Sequence, residues 1–299
     1  MSKDQKTINK LFRDLIRVYS TSTTSMIGLD SMQTAIKELI CKNNNLEREI
    51  IKLSDTVKNT QPRMFPLDNL MLILDKEIQS LSYKKQLTKE SATQILEVFR
   101  DRLKLDLDEL VESGTEWIKD GDFIVIHSIE ENIEHLIPAA KKKGIKFKIL
   151  LLQQDIVTTE QILIILNENK IDFEVIPEYD LVHYVDKINK LFLGTQSLTK
   201  DDYLICDPGT SNIVSECHIY NIPVLLFLKT LKFSNYSSKD QNIFKNHYQD
   251  KYKEIEYNYS IHSNDIIQLK LIDHIITEKG EVPLEEISII REQVFLEFN

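Results

Sequence analysis

Glycine is scarce in this sequence, with seven among 299 residues, and no Gly-x-Gly-x-x-Gly or Gly-x4-Gly-Lys-Ser/Thr loop occurs. Dinucleotide or ATP binding by those two routes is therefore excluded, because both need glycines where the backbone approaches a phosphate. Three cysteines, Cys41, Cys206 and Cys217, are too few and too far apart for a disulfide framework or a zinc site. No apolar run approaches the roughly 20 residues that span a bilayer. The opening, MSKDQKTINK, is charged and lacks the apolar stretch of a signal peptide. No membrane partner is expected, and the cytoplasm is the expected location.

Positive charge is short where it would matter for nucleic acid. The formal net charge is −10, and it is uneven: residues 1–119 hold 19 Lys+Arg against 18 Asp+Glu, whereas residues 120–299 hold 18 against 29. An acidic second half repels phosphate backbones, which disfavours direct nucleic-acid binding and leaves protein as the expected partner.

What is present is a set of short apolar runs between 121 and 233. Phe123–Ile126, Phe147–Leu152, Leu191–Leu193 and Val224–Leu228, with a weaker Phe173–Ile176, lack period-two alternation. Such runs suit strands of a parallel sheet covered on both faces. Between the first two, Ile133, Leu136, Ile137 and Ala140 mark one face of a helix from 130 to 143 that stops at Gly144. Thr158 and Gln161 read as a capping box opening the next helix. Pro177 and Pro223 fall at segment ends, where a missing N–H is tolerated. The pattern predicts a Rossmann-like, mainly parallel sheet domain over 120–299, with ligands expected beyond the carboxyl ends of its strands.

Before it, residues 1–119 predict a helical domain. Ile8, Leu11, Phe12, Leu15 and Ile16 form one stripe, and Met32, Ile36, Leu39 and Ile40 form another, capped by Asp30 or Ser31. Ser20–Ser25 (STSTTS) reads as a solvated joint. A third helix spans 46–57, Met64–Leu74 belongs in the core, and a long amphipathic helix from Lys89 to Lys119 joins the domains. After Phe233, the polar, tyrosine-rich segment 234–260 reads as an irregular excursion. Ile266–Ile276 predicts a helix ending near Gly280, and Pro283 opens a last helix through Ile290.

Several candidate sites follow from these positions. Gly209, Thr210, Ser211 and Asn212 open a helix after the strand-like Tyr203–Ile205, so their N–H groups form a possible anion site or, equally, a capped glycine turn. His127 ends the first strand, where it is a tempting general base; without an accompanying nucleophile or acid, a hydrogen-bonded structural histidine is favoured. Cys206 beside Asp207 reads as a buried thiol, since an adjacent carboxylate raises a thiol pKa. The other histidines have no ligand spacing, and no catalytic or metal residue and no cofactor is assigned.

Six landmarks occur in a characteristic order. They are Thr60-Gln-Pro-Arg-Met-Phe-Pro-Leu-Asp-Asn-Leu70, Gly121-Asp-Phe-Ile-Val-Ile-His-Ser128, Gly194-Thr-Gln196, Gly209-Thr210, Leu231-Lys-Phe233 and Ile272-Asp-His-Ile-Ile-Thr-Glu-Lys-Gly280. Together they resemble the alpha, beta and delta regulatory subunits of translation initiation factor 2B. That family also holds ribose-1,5-bisphosphate and methylthioribose-1-phosphate isomerases. The resemblance implies a helical domain before a Rossmann-like one, dimers, and association with a guanine-nucleotide exchange complex. Its isomerase members use a cysteine and an aspartate for proton transfer, with arginines, a lysine and an asparagine holding sugar phosphate. Here the cysteine position is Ser128, the aspartate Gln196, the two arginines Gln61 and Asp155, and the Asn-Lys pair Cys206-Asp207. A serine hydroxyl and a glutamine amide carry no acid/base chemistry near neutral pH, and Asp in place of a cation repels phosphate. The implied function is a non-catalytic regulatory subunit partnered by itself and by other initiation factor 2B or initiation factor 2 subunits. The rival readings are a sugar-phosphate isomerase with a rebuilt site and a sugar-phosphate sensor.

Overall fold

A computed structural model describes residues 3–41, 45–60, 63–154, 156–240, 245–252 and 254–294. The helical part comprises α1 (Lys3–Val18), α2 (Thr21–Glu38), α3 (Leu46–Lys58), α4 (Phe65–Tyr83) and α5 (Lys89–Thr115). Thereafter come β1 (Phe123–His127), α6 (Glu131–Lys142), β2 (Lys148–Gln153), α7 (Ile156–Glu168), β3 (Asp172–Pro177), β4 (Lys190–Leu193), β5 (Ser197–Leu198) and β6 (Tyr203–Cys206). The chain continues through α8 (Thr210–Ile219), β7 (Val224–Phe227), β8 (Lys245–Tyr252), β9 (Ile255–His262), β10 (Asp265–Gln268), β11 (His274–Thr277), β12 (Gly280–Glu281) and α9 (Ile287–Gln293).

The main sheet runs β12-β11-β7-β4-β1-β2-β3 and is parallel apart from the β11–β12 pair. Its five inner and edge strands β1, β2, β3, β4 and β7 are the five apolar runs of the sequence. Side chains on its two faces feed two apolar clusters, one with Val125, Leu150, Leu191 and Leu226, the other with Ile124, Ile149, Phe192 and Phe227. The third cluster lies among the helices and includes Leu29, Leu70, Met71, Leu74 and Leu96. Helix α5 touches two of them: Leu96, Phe99 and Leu103 belong to the helical core, and Leu110 to the sheet. One turn further on, a Cβ added at Gly114 would lie 2.9 Å from Leu136 and 3.2 Å from Phe227, so the helix axis comes very close to α6 and β7 there.

Five expectations are corrected. Ser20–Ser25 is no solvated joint: Ser20 caps α2 through the amide of Thr23, and Thr21, Ser22, Thr24 and Ser25 are buried in its first turns. Hydroxyls bury at small cost when the helix itself accepts their hydrogen bonds, as Ser25 Oγ to Thr21 O at 2.7 Å does. Asp30 and Ser31 accordingly lie inside α2, and Ile40, expected on its stripe, is beyond its end and exposed. Thr158 falls inside α7, which starts two residues earlier. Residues 245–262 form an antiparallel hairpin, with Tyr248 opposite Tyr259 and Asp250 opposite Tyr257. Ile266–Ile276 holds two strands around a 3-10 turn, because β10 finds β6 and β11 finds β7; tertiary pairing overrides a helix-like spacing of isoleucines.

Candidate functional site

The carboxyl ends of β1, β4 and β7 converge with the loop before α8, as the topology of a parallel sheet requires. The β1 end supplies His127, Ser128 and Glu130, the β4 end Gly194, Thr195 and Gln196, and the β7 end Lys229 to Phe233. Ser128 has φ 48°, an unusual left-handed conformation for a non-glycine residue, and its carbonyl accepts from the Gly194 amide at 3.0 Å. The two loops are pressed together, since a Cβ on Gly194 would stand 2.5 Å from that carbonyl and 2.9 Å from Glu130 Cβ and Cγ.

Three positions singled out from the sequence meet here. The Asp207 amide donates to Ser128 Oγ at 3.1 Å, and Gln196 Nε2 donates to Asp207 Oδ1 at 3.3 Å. Gln61 and Asp155 lie outside the described residues. His127 is buried; its Nε2 is 2.7 Å from Glu178 Oε1 and its Nδ1 3.1 Å from Thr210 Oγ1. Both ring nitrogens are therefore engaged, and the histidine ties β1 to α8. Cys206 is buried, with Sγ 3.7 Å from the Gly194 carbonyl, and burial pushes its thiol pKa well up, with Asp207 and Asp265 adding to the rise.

The turn at Gly209 has φ 93° and opens α8. The amide and hydroxyl of Ser211 both donate to Asp265 Oδ2, at 2.9 and 2.7 Å, and Thr210 Oγ1 donates to the Asp207 carbonyl at 2.6 Å. An external anion at Gly209, Thr210, Ser211 and Asn212 would have to displace Asp265 from Ser211 and the Asp207 carbonyl from Thr210. The sequence reading overlooked Asp265, which follows a hairpin that reads as irregular.

Burial, reinforced by the nearby Glu130 charge, raises the Asp207 pKa to about 6, against the lowering effects of His127, Gln196 and Ser128. Between pH ~4 and ~6 the folded chain holds a proton that the unfolded chain has released, so stability falls as pH rises through that window. Asp207→Asn removes this penalty. Thermal melts should find the variant more stable than the parent at pH 8 by on the order of 1–2 kcal/mol, a partly exposed group being discounted, with the difference gone by pH 3.5.

Sensitive to neither charge nor pocket shape, the order of segments decides kinship: the model of the initiation factor 2 subunit family matches residues 17–284. The chain belongs to that family. Within it, the chain is 26% identical over 220 residues to a translation initiation factor eIF-2B subunit 2-like protein of Pyrococcus horikoshii, covering 73% of this chain and 75% of that one. It is 24% identical over 283 residues to ribose 1,5-bisphosphate isomerase of Methanocaldococcus jannaschii, covering 87% of each. The fold is that of the crystal structure of P. horikoshii eIF-2B, at TM-score 0.80 and 24% identity over 96% of this chain and 100% of that one. It is also that of the tetrameric eIF2B-beta2-delta2 complex of C. thermophilum, at TM-score 0.76 and 13% identity over 99% and 95%. Initiation factor 2 family membership thus spans both subunits and an isomerase, and the residues at the strand ends must separate the two.

Proposed function

We propose that this chain is a non-catalytic regulatory or assembly subunit of the eIF2B type, acting in the cytoplasm in translation initiation through association with itself and with other eIF2B-like or initiation factor 2 subunits. The observation that carries this reading is the pair Ser128 and Gln196. Neither a serine hydroxyl nor an amide has a pKa near neutrality, so neither replaces the thiol and carboxylate of the isomerases as an acid or base, and both are hydrogen-bonded to Asp207. The name of the C. thermophilum neighbour, a beta2-delta2 tetramer, supports association as the mode of action. Residues 1–119 and 120–299 are the two domains of this reading. Leu231 and Phe233 are 3% and 0% exposed within the chain and belong to its core, so they offer no surface for association.

Affinity purification from the native host tests the proposal: initiation-factor subunits should co-purify, and a chain recovered alone counts against it. The isomerase reading, favoured by the match along 87% of the M. jannaschii enzyme, has its own assay. Purified protein should convert ribose 1,5-bisphosphate no faster than a no-enzyme control. Turnover that Ser128→Ala abolishes would establish the enzyme instead.

A further inference from the structure

Three segments far apart in sequence meet at Glu130. Its carboxylate Oε2 accepts from Lys232 Nζ at 3.0 Å and from Thr21 Oγ1 at 3.1 Å, and Lys232 also donates to the Thr195 carbonyl at 2.8 Å. Glu130 is 7% and Lys232 0% exposed. Thr21 is the first residue of α2, so the carboxylate lies beside the end of an 18-residue helix that carries partial positive charge. In the same turn the hydroxyls of Ser22 and Thr24, 3% and 0% exposed, have no hydrogen-bond partner among the described residues.

A buried ammonium, hydroxyls and a helix N-terminus are the groups with which proteins hold a small oxyanion. Here the anion is one of the chain's own side chains. Glu130 occupies the N-cap position of α6, yet its side chain makes no capping bond to that helix and turns to Lys232 and α2 instead. Buried ion pairs add little net stability compared with well-packed apolar groups, so stability alone gives no reason for this one. What the carboxylate does is join the start of α2 to the end of β1 and to the segment after β7. Gly194 leaves the room for it.

We propose that the Glu130 carboxylate is a resident ligand: it takes the place of a free carboxylate or phosphate oxyanion in a cradle made by Lys232, Thr21 and the first turn of α2, and holds the helical part on the sheet without an external ligand. The proposal stands whether the chain is a regulatory subunit or an enzyme, and its test uses neither partner nor substrate.

Glu130→Ala removes the anion and leaves the cradle. In chloride buffer its thermal midpoint falls below that of the parent. Replacing chloride by formate, acetate or inorganic phosphate at constant ionic strength should raise it saturably by about 5 °C, while the parent moves by less than about 1 °C. Adding Lys232→Met should abolish the recovery. Glu130→Gln keeps the volume without the charge, and should be destabilised with no response to the anions. If the alanine variant is too unstable to purify, its refolding yield with and without formate gives the same reading. No response of Glu130→Ala, an equal response of the parent, or a Glu130→Gln protein as stable as the parent overturns the proposal.

Discussion

Lys232→Met is expected to lower the unfolding free energy by about 3–5 kcal/mol, the usual penalty for leaving one member of a buried ion pair uncompensated. The Glu130 carboxyl, 7% exposed, would be left with only Thr21 to bond it, and the Thr195 carbonyl would lose its ammonium donor. Pairing the change with Glu130→Leu should return most of the loss, because no charge is then left buried. A remainder of about 1 kcal/mol is expected from the orphaned carbonyl. Urea unfolding of the two single variants and the double variant measures each quantity, and an unchanged slope against denaturant confirms that the folded state is otherwise intact. A single variant within about 1 kcal/mol of the parent would mean that water reaches Lys232 in solution.

Asn69→Ala should cost about 2–4 kcal/mol. Asn69, in the first turns of α4, is 1% exposed, and its amide donates to the carbonyls of Leu231 and Phe233 at 2.8 and 2.9 Å. Each carbonyl left without a donor in a dry interior costs roughly 1–3 kcal/mol. The effect should be local as well as global. The amides of Lys232 and Phe233, which donate to Lys229 and Thr230, should exchange with solvent faster in the variant relative to β1 amides. Asn69→Asp, which offers no amide donor, should be at least as damaging.

Both predictions concern motifs that the sequence offered without their reason. Asn69 and Leu231-Lys-Phe233 are separate landmarks in the chain, and only the structure shows that one holds the other. Most strands of the main sheet were legible because a strand buried on both faces is apolar along its centre, as β1, β2, β4 and β7 are. The run Ser20–Ser25 was misleading because polarity was read as solvation, whereas the hydroxyls of Ser20 and Ser25 bond within their own helix and that of Thr21 to Glu130. Ile255, Tyr257, Tyr259 and Ile261 alternate with polar residues, a period-two signal that could have revealed β9. For β10 and β11 no local signal was sufficient, since their conformation is decided by the partner strands β6 and β7. At the site, Ser128, Gln196 and Asp207, singled out from separate landmarks, meet through hydrogen bonds. Glu130 was passed over because it reads as the first residue of the 130–143 helix, where a carboxylate simply suits the helix dipole.

The apolar cluster of the helical part contains two late arrivals, Leu231 and Val294. During synthesis α1 to α5 emerge first, as the N-terminal half of a chain folded while it is being made. Their interior nevertheless has two vacant positions until more than a hundred further residues have left the ribosome. The last of these comes from the segment just after α9. A nascent chain stopped between α5 and β7 therefore presents an unfinished core as well as an unpaired Asn69. Completion of the sheet half is also the event that seals the helical half.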